Sequence, residues 1–183
     1  MRLLYLVDGR SPIALNWVRY FVRRDHDVHL VSLYPCHPEL DLSSLTVLPV
    51  AFSGAVEQGQ ERKGESLWRG WLRKLATPRF RTMLRHHFVP RSLPGAAEKL
   101  QSLIDDLQPD LIHAMRIPYE GMVAALADRS PLLVSVWGND FTLHAQATRK
   151  LTRLTRLTLE RADALHTDCR RDLALAREWG FDA

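Results

Sequence analysis

Three short polar clusters each follow directly on an apolar run: Asp8-Gly9-Arg10-Ser11, the stretch His113 to Gly121, and Trp137-Gly138-Asn139-Asp140. In the first, Arg10 offers a fork-shaped donor for phosphate or carboxylate. Ser11 followed by Pro12 reads as an N-cap with proline in the first helical position. A helix starting there turns its positive end, with Gly9 and Ser11 beside it, toward an anion. The same residues also make an ordinary strand-to-helix turn with an exposed Arg. In the second cluster, Arg116 and Glu120 are ligand candidates, or partners in a surface ion pair of little energetic value. His113 falls inside an apolar run and reads as a satisfied buried histidine. In the third, Gly138 beside Trp137 permits close backbone approach or a positive φ. Asn139 has both donor and acceptor groups, and Asp140 can accept hydroxyl protons or act as a base. Asn and Asp are equally common in plain turns.

The elements that must position these clusters alternate in type. Apolar runs at 2–7, 28–34, 45–50, 111–114, 132–137 and 164–167 read as strands. Helical spacing occupies 12–24, about 95–108, about 119–128, about 146–161, and a last helix capped by Asp168 that ends at Gly180. The leucines of Leu151-Thr-Arg-Leu154-Thr-Arg-Leu157 step by three and so face more than one neighbour. Alternation of this kind predicts an α/β fold with a parallel sheet and helices on both faces. Ligands of such sheets lie beyond the carboxyl ends of the strands, where all three clusters fall. The first turn has one glycine and no GxGxxG, which speaks against a redox dinucleotide site.

The 183 residues are 46% hydrophobic and 25% charged, enough for one domain with a real core. The two cysteines, Cys36 and Cys169, form no CxxC, which fits a reducing compartment and argues against structural zinc. No apolar run reaches the ~18 residues of a spanning helix. The expectation is a cytoplasmic protein, peripheral on a membrane inner face at most.

Charge is unevenly spread. Residues 62–91 hold nine Lys/Arg and one acid, whereas the remainder has 16 basic and 20 acidic residues. Within that segment Leu67, Trp68, Trp71, Leu72 and Leu75 share one helical face, with Arg69, Arg73 and Lys74 off it. A second short helix holds Phe80, Met83, Leu84 and Phe88, and Pro78 and Pro90 interrupt the stretch. A cationic patch with interfacial tryptophans suits an anionic membrane surface or another polyanion. No nucleic-acid recognition motif accompanies it, so no nucleic-acid partner is expected.

The order RLLYLVDGRSPIALNWVRYF, PDLIHAM, PLLVSVWGND and ERADALHTDCRRDLALAREWGF resembles the N-terminal domain of GT-B glycosyltransferases, most closely the retaining family-four type. The resemblance runs along the whole chain and is weakest over 53–92, which reads as a basic amphipathic insertion. It implies a Rossmann-like three-layer domain, the N-terminal half of a GT-B architecture. It implies transfer of a sugar from a nucleotide-sugar to an acceptor hydroxyl, with no other cofactor and no metal. Arg10, Asn139 and Asp140 would then serve leaving-group charge and sugar hydroxyls. In this family the N-terminal domain shapes the acceptor site and a C-terminal domain binds the donor. The latter would come in cis or from a partner chain, and this chain would be inactive alone. Two departures stand out. The first turn lacks the family's glycine pair, and Trp137 stands where many members have histidine. A non-catalytic module using the basic segment, and a nucleotide-sugar epimerase of related architecture, are the rival readings.

Overall fold

The computed structural model describes residues 1–51 and 78–182, with side chains described from 85 onward in the second stretch. The expected membrane-facing residues Trp68, Arg69, Trp71, Arg73 and Lys74 lie outside the described residues, as do the side chains of Phe80, Met83 and Leu84.

Six parallel strands form one sheet in the order β3-β2-β1-β4-β5-β6. They are β1 (Arg2–Val7), β2 (Asp27–Ser32), β3 (Ser44–Val47), β4 (Leu111–Ala114), β5 (Leu132–Val136) and β6 (Ala164–Thr167). Five of the six β1 residues, Leu3 to Val7, are buried, as a strand covered on both faces requires. The faces separate by alternation. Leu3, Tyr5 and Val7 pack with Val28, Leu30 and the α1 residues Ala14 and Val18 (α1, Pro12–Val22). Leu4 and Leu6 join a larger core on the other side. That core takes in α2 (Pro78–Leu107), α3 (Met122–Ala127) and α4 (Arg149–Arg161). The last helix is α5 (Arg170–Glu178). This is the expected three-layer, Rossmann-like α/β arrangement.

Several local expectations are corrected. Pro90 does not interrupt the chain: α2 runs through both Pro90 and Pro94 and merges the two helices expected there. Each proline removes a backbone donor. Against that local loss, Val89, Leu93, Ala96, Ala97, Leu100 and Ile104 recur on one face and are all buried in the larger core. Asp168 is not the cap of the last helix; Cys169 occupies that position and makes no side-chain capping bond. Helix α4 begins at Arg149, capped by Thr148, because Asp140–His144 forms a separate wide turn. Helix α4 faces several neighbours, contacting α2, α3 and the turn Ile117–Gly121, and its Leu151 and Leu154 are in the larger core with Leu157 packed against it. Among the described residues, no helix is long and apolar enough to cross a membrane.

Candidate active site

Strands β1, β4 and β5 are adjacent and parallel, with Leu6 paired to Ala114 and Ala114 to Val134. Their carboxyl ends therefore open on one edge, and the three polar clusters meet there. Between them lies a cleft of about 290 Å³. Of the residues singled out in the sequence, Arg10, Arg116, Glu120 and Asn139 line it. Gly9, Ser11, Trp137, Gly138 and Asp140 are not in its wall; they build the loops behind it.

The first turn is internally satisfied. The Gly9 amide donates to Ser32 Oγ at 3.1 Å, that of Arg10 to Asp8 Oδ1 at 3.1 Å, and that of Ser11 to the Asp8 carbonyl at 2.9 Å. Ser11 Oγ accepts from the Ala14 amide at 3.4 Å and so caps α1, as the Ser-Pro pair predicted. These three amides are engaged within the turn. A Cβ on Gly9 would fall 2.3 Å from Cys36 Sγ, so any side chain at this position must displace the buried Cys36 thiol. Arg10 forks onto Asp8 through two 2.9 Å bonds and lies 4.0 Å above the Tyr34 ring. Burial would raise the Asp8 pKa, but Arg10 outweighs it and holds the carboxyl below its ordinary value.

Asp140 is buried and clasps the second and third loops. Its Oδ2 accepts from the Ile117 and Trp137 amides, each at 3.1 Å, and Oδ1 lies 3.4 Å from Arg116 Nη2. Burial raises its pKa, against the pull of Arg116 and the two amides. The carboxylate thus faces the protein rather than the cleft, in a positioning role. Gly138 has ordinary φ; among the described glycines only Gly180 is left-handed, at +102°. What Gly138 contributes is its carbonyl, which accepts from Arg171 Nη2 at 2.7 Å and ties the loop to α5. Trp137 is half-buried and packs on the α1 side of the sheet.

Glu120 and Arg116 form no ion pair; the expected surface pair is replaced by a buried glutamate and an arginine turned to Asp140. Glu120 Oε2 accepts from the Tyr119 amide at 2.8 Å. Burial pushes its pKa up to about 7, even with Arg116 favouring the charged form. The Nε of Arg116 is buried and makes no hydrogen bond.

Seven wall residues were not singled out from the sequence: Asp8, Tyr34, Arg85, His86, Pro118, Tyr119 and His144. Tyr34 ends the apolar run of β2, a strand end that could have flagged it. Arg85 belongs to the cationic stretch expected to face a membrane, yet its guanidinium donates to the Tyr34 hydroxyl inside the cleft. It also lies 6.0 Å from the centre of the Tyr119 ring. His86 Nε2 and His144 Nδ1 are 3.1 Å apart, with their rings perpendicular. Burial, then Arg116, His86 and Arg85, bring the His144 pKa down to about 4; His86 is lowered for similar reasons. Both rings are therefore neutral near pH 7. His113, by contrast, is the satisfied core histidine expected, bonded through Nε2 to Ser135 Oγ at 2.8 Å.

The fold is similar to that of a protein assigned as a UDP-N-acetylglucosamine 2-epimerase from Listeria monocytogenes. The TM-score is 0.56 and the identity 12%, over 99% of this chain and 43% of that one. Glycyrrhiza uralensis UGT73P12, complexed with glycyrrhetinic acid 3-O-monoglucuronide, matches at TM-score 0.49 and 14% identity, over 98% of this chain and 46% of that one. The glycosyltransferase VinC in complex with DTDP matches at TM-score 0.38 and 18% identity, over 84% of this chain and 38% of that one. The chain thus spans less than half the length of each of these structures. No curated protein sequence gives a significant match. Residues 8–183 match the model of the glycosyl transferase 4-like domain, and the chain belongs to that family.

Proposed function

We propose that this chain is the acceptor-side domain of a glycosyltransferase that moves a sugar from a nucleotide-sugar to an acceptor hydroxyl. The observation that carries the reading is the convergence of three strand-end loops on one polar cleft in a glycosyl transferase 4-like domain. In sugar transfer, negative charge grows on the leaving diphosphate and positive charge on the sugar ring. Preorganised cations and fixed dipoles lower that barrier most when water is excluded. Arg116, held by Asp140, and Arg85, held by Tyr34, supply such cations on this side. Asn139 orients hydroxyl groups with its donor and acceptor atoms. Retention of the anomeric configuration is part of the proposal and follows from the family-four resemblance.

The donor-binding half comes from a second domain, in cis or as a partner chain; this reading is supported by the family match and by the 43% share of the epimerase-like structure that this chain covers. Purified residues 1–183, given UDP-, GDP- and dTDP-linked sugars with hydroxyl acceptors, are expected to transfer nothing alone. Transfer is expected once a donor-binding domain is supplied, with the product anomer read by NMR. Transfer by the chain alone overturns the division of labour. No transfer by the completed protein overturns the enzyme reading.

A second reading rests on the cationic stretch 62–91: peripheral contact with an anionic membrane from the cytoplasmic side. Each engaged cation contributes about 1 kcal/mol near an anionic leaflet. Co-sedimentation with anionic but not neutral vesicles is the expected result; equal binding to both removes the electrostatic part.

A further inference from the structure

The cleft holds more cationic and donor capacity than its own acceptors use. Arg10 is neutralised by Asp8 through a two-bond fork, and Arg116 is partly neutralised by Asp140. Arg85 forms no ion pair with any described residue; its partner is the neutral Tyr34 hydroxyl. Arg116 lines the cleft with 29% of its side chain exposed, and its buried Nε–H has no acceptor among the described residues. The Tyr119 side chain stands in the same wall. The remaining carboxyl, Glu120, is buried beside these groups, and both histidines of the wall are neutral near pH 7.

Arg85 and Arg116 approach from different elements, α2 and the loop after β4, yet both act on the same His144 and Tyr119. Two guanidinium groups arriving from separate directions fit an anion with several oxygens set around one centre. A single planar carboxylate would be met by one arginine fork.

We infer that this cleft recognises a phosphoryl group on its occupant, through the guanidinium groups of Arg85 and Arg116. The inference rests on reading the domain as the acceptor side of a glycosyltransferase and deepens it: the acceptor is a phosphorylated compound. The same chemistry could instead belong to the diphosphate of the sugar donor. The experiment separates the two.

Binding of inorganic phosphate, a hexose, the corresponding hexose phosphate and UDP to residues 1–183 is measured by calorimetry, on the unsubstituted chain and on Arg85→Gln and Arg85→Lys. Arg161→Gln, on the exposed Asp128 pair, serves as control. The expected result is hexose phosphate binding at least about tenfold tighter than hexose. About tenfold loss in Arg85→Gln, partial retention in Arg85→Lys and no change in Arg161→Gln complete it. Arg116→Gln should lose more, and Arg85 keeps the test valid if that variant misfolds. UDP binding that depends on Arg85, with no hexose phosphate binding, assigns the site to the donor and overturns the phosphorylated acceptor. Equal binding of hexose and hexose phosphate overturns the phosphoryl site while leaving the acceptor reading intact. Binding of inorganic phosphate alone, lost in Arg85→Gln and joined by no sugar, keeps the anion site and overturns the acceptor reading.

Discussion

The Asp140 carboxylate accepts the backbone amide of Ile117 at 3.1 Å, across 23 residues of chain. This bond, with its twin to the Trp137 amide, joins the loop after β4 to the loop after β5. Both walls of the cleft are set by it. The orientation of Arg116 is fixed from the same carboxylate.

Asp140→Ala should therefore be costly without touching any ligand. It leaves two amides, one of them fully buried, without an acceptor, and Arg116 without its counter-charge. The expected loss is about 3 kcal/mol, a fall in Tm on the order of 10 °C. Asp140→Asn keeps one acceptor oxygen and should lose about half as much. Denaturant unfolding of the two variants checks the order; equal stability of Asp140→Ala and the unsubstituted chain contradicts the clasp.

Gly9 makes a packing prediction. Gly9→Ala drives a methyl group into Cys36 Sγ and should destabilise by about 1–3 kcal/mol. Combining it with Cys36→Ala removes the sulfur, so the pair should be less destabilised than the sum of the singles. A double-mutant cycle by denaturant unfolding measures the coupling, and strict additivity counts against the contact.

Burial of Glu120 sets a pH dependence. Its pKa rises from 4.5 to about 7 on folding, so between those values the folded state holds a proton that the unfolded state has released. Stability from this group is fully present below pH 4.5 and is lost as pH rises to 7, by about 3 kcal/mol. Buried His113, lowered from 6.5 to about 4, acts in the opposite sense and loses stability as pH falls through that window. His144, also lowered to about 4, adds to the His113 effect. The test is therefore the difference between the two proteins: from pH 4.5 to 7 the stability of Glu120→Gln should rise relative to the unsubstituted chain, by about 3 kcal/mol. Unfolding free energies from pH 4 to 8 decide it; an unchanged profile contradicts a buried, titrating Glu120.

Much of the scaffold could be read from the residues because local and global signals agree there. The run Leu3 to Val7 is apolar at every position and becomes a central strand; Ser11-Pro12 caps a helix as its chemistry dictates. Alternation of element types then placed three loops on one rim. What stayed hidden depends on tertiary direction. Proline at 90 and 94 signals a break locally, and only burial of the face from Val89 to Ile104 reverses it. An aspartate after a strand looks the same whether it meets a ligand or turns inward, as Asp140 does. Arg85 was one cation among nine until packing of α2 pointed it at Tyr34.

The central claim is that the three loops form one acceptor pocket, and ¹H–¹⁵N NMR of residues 1–183 titrated with a panel of sugars and sugar phosphates tests it most directly. The account predicts saturable shifts concentrated at the amides of Arg10, Tyr119, Glu120 and Asn139. Shifts confined to residues outside the cleft, or none with any member of the panel, would contradict it.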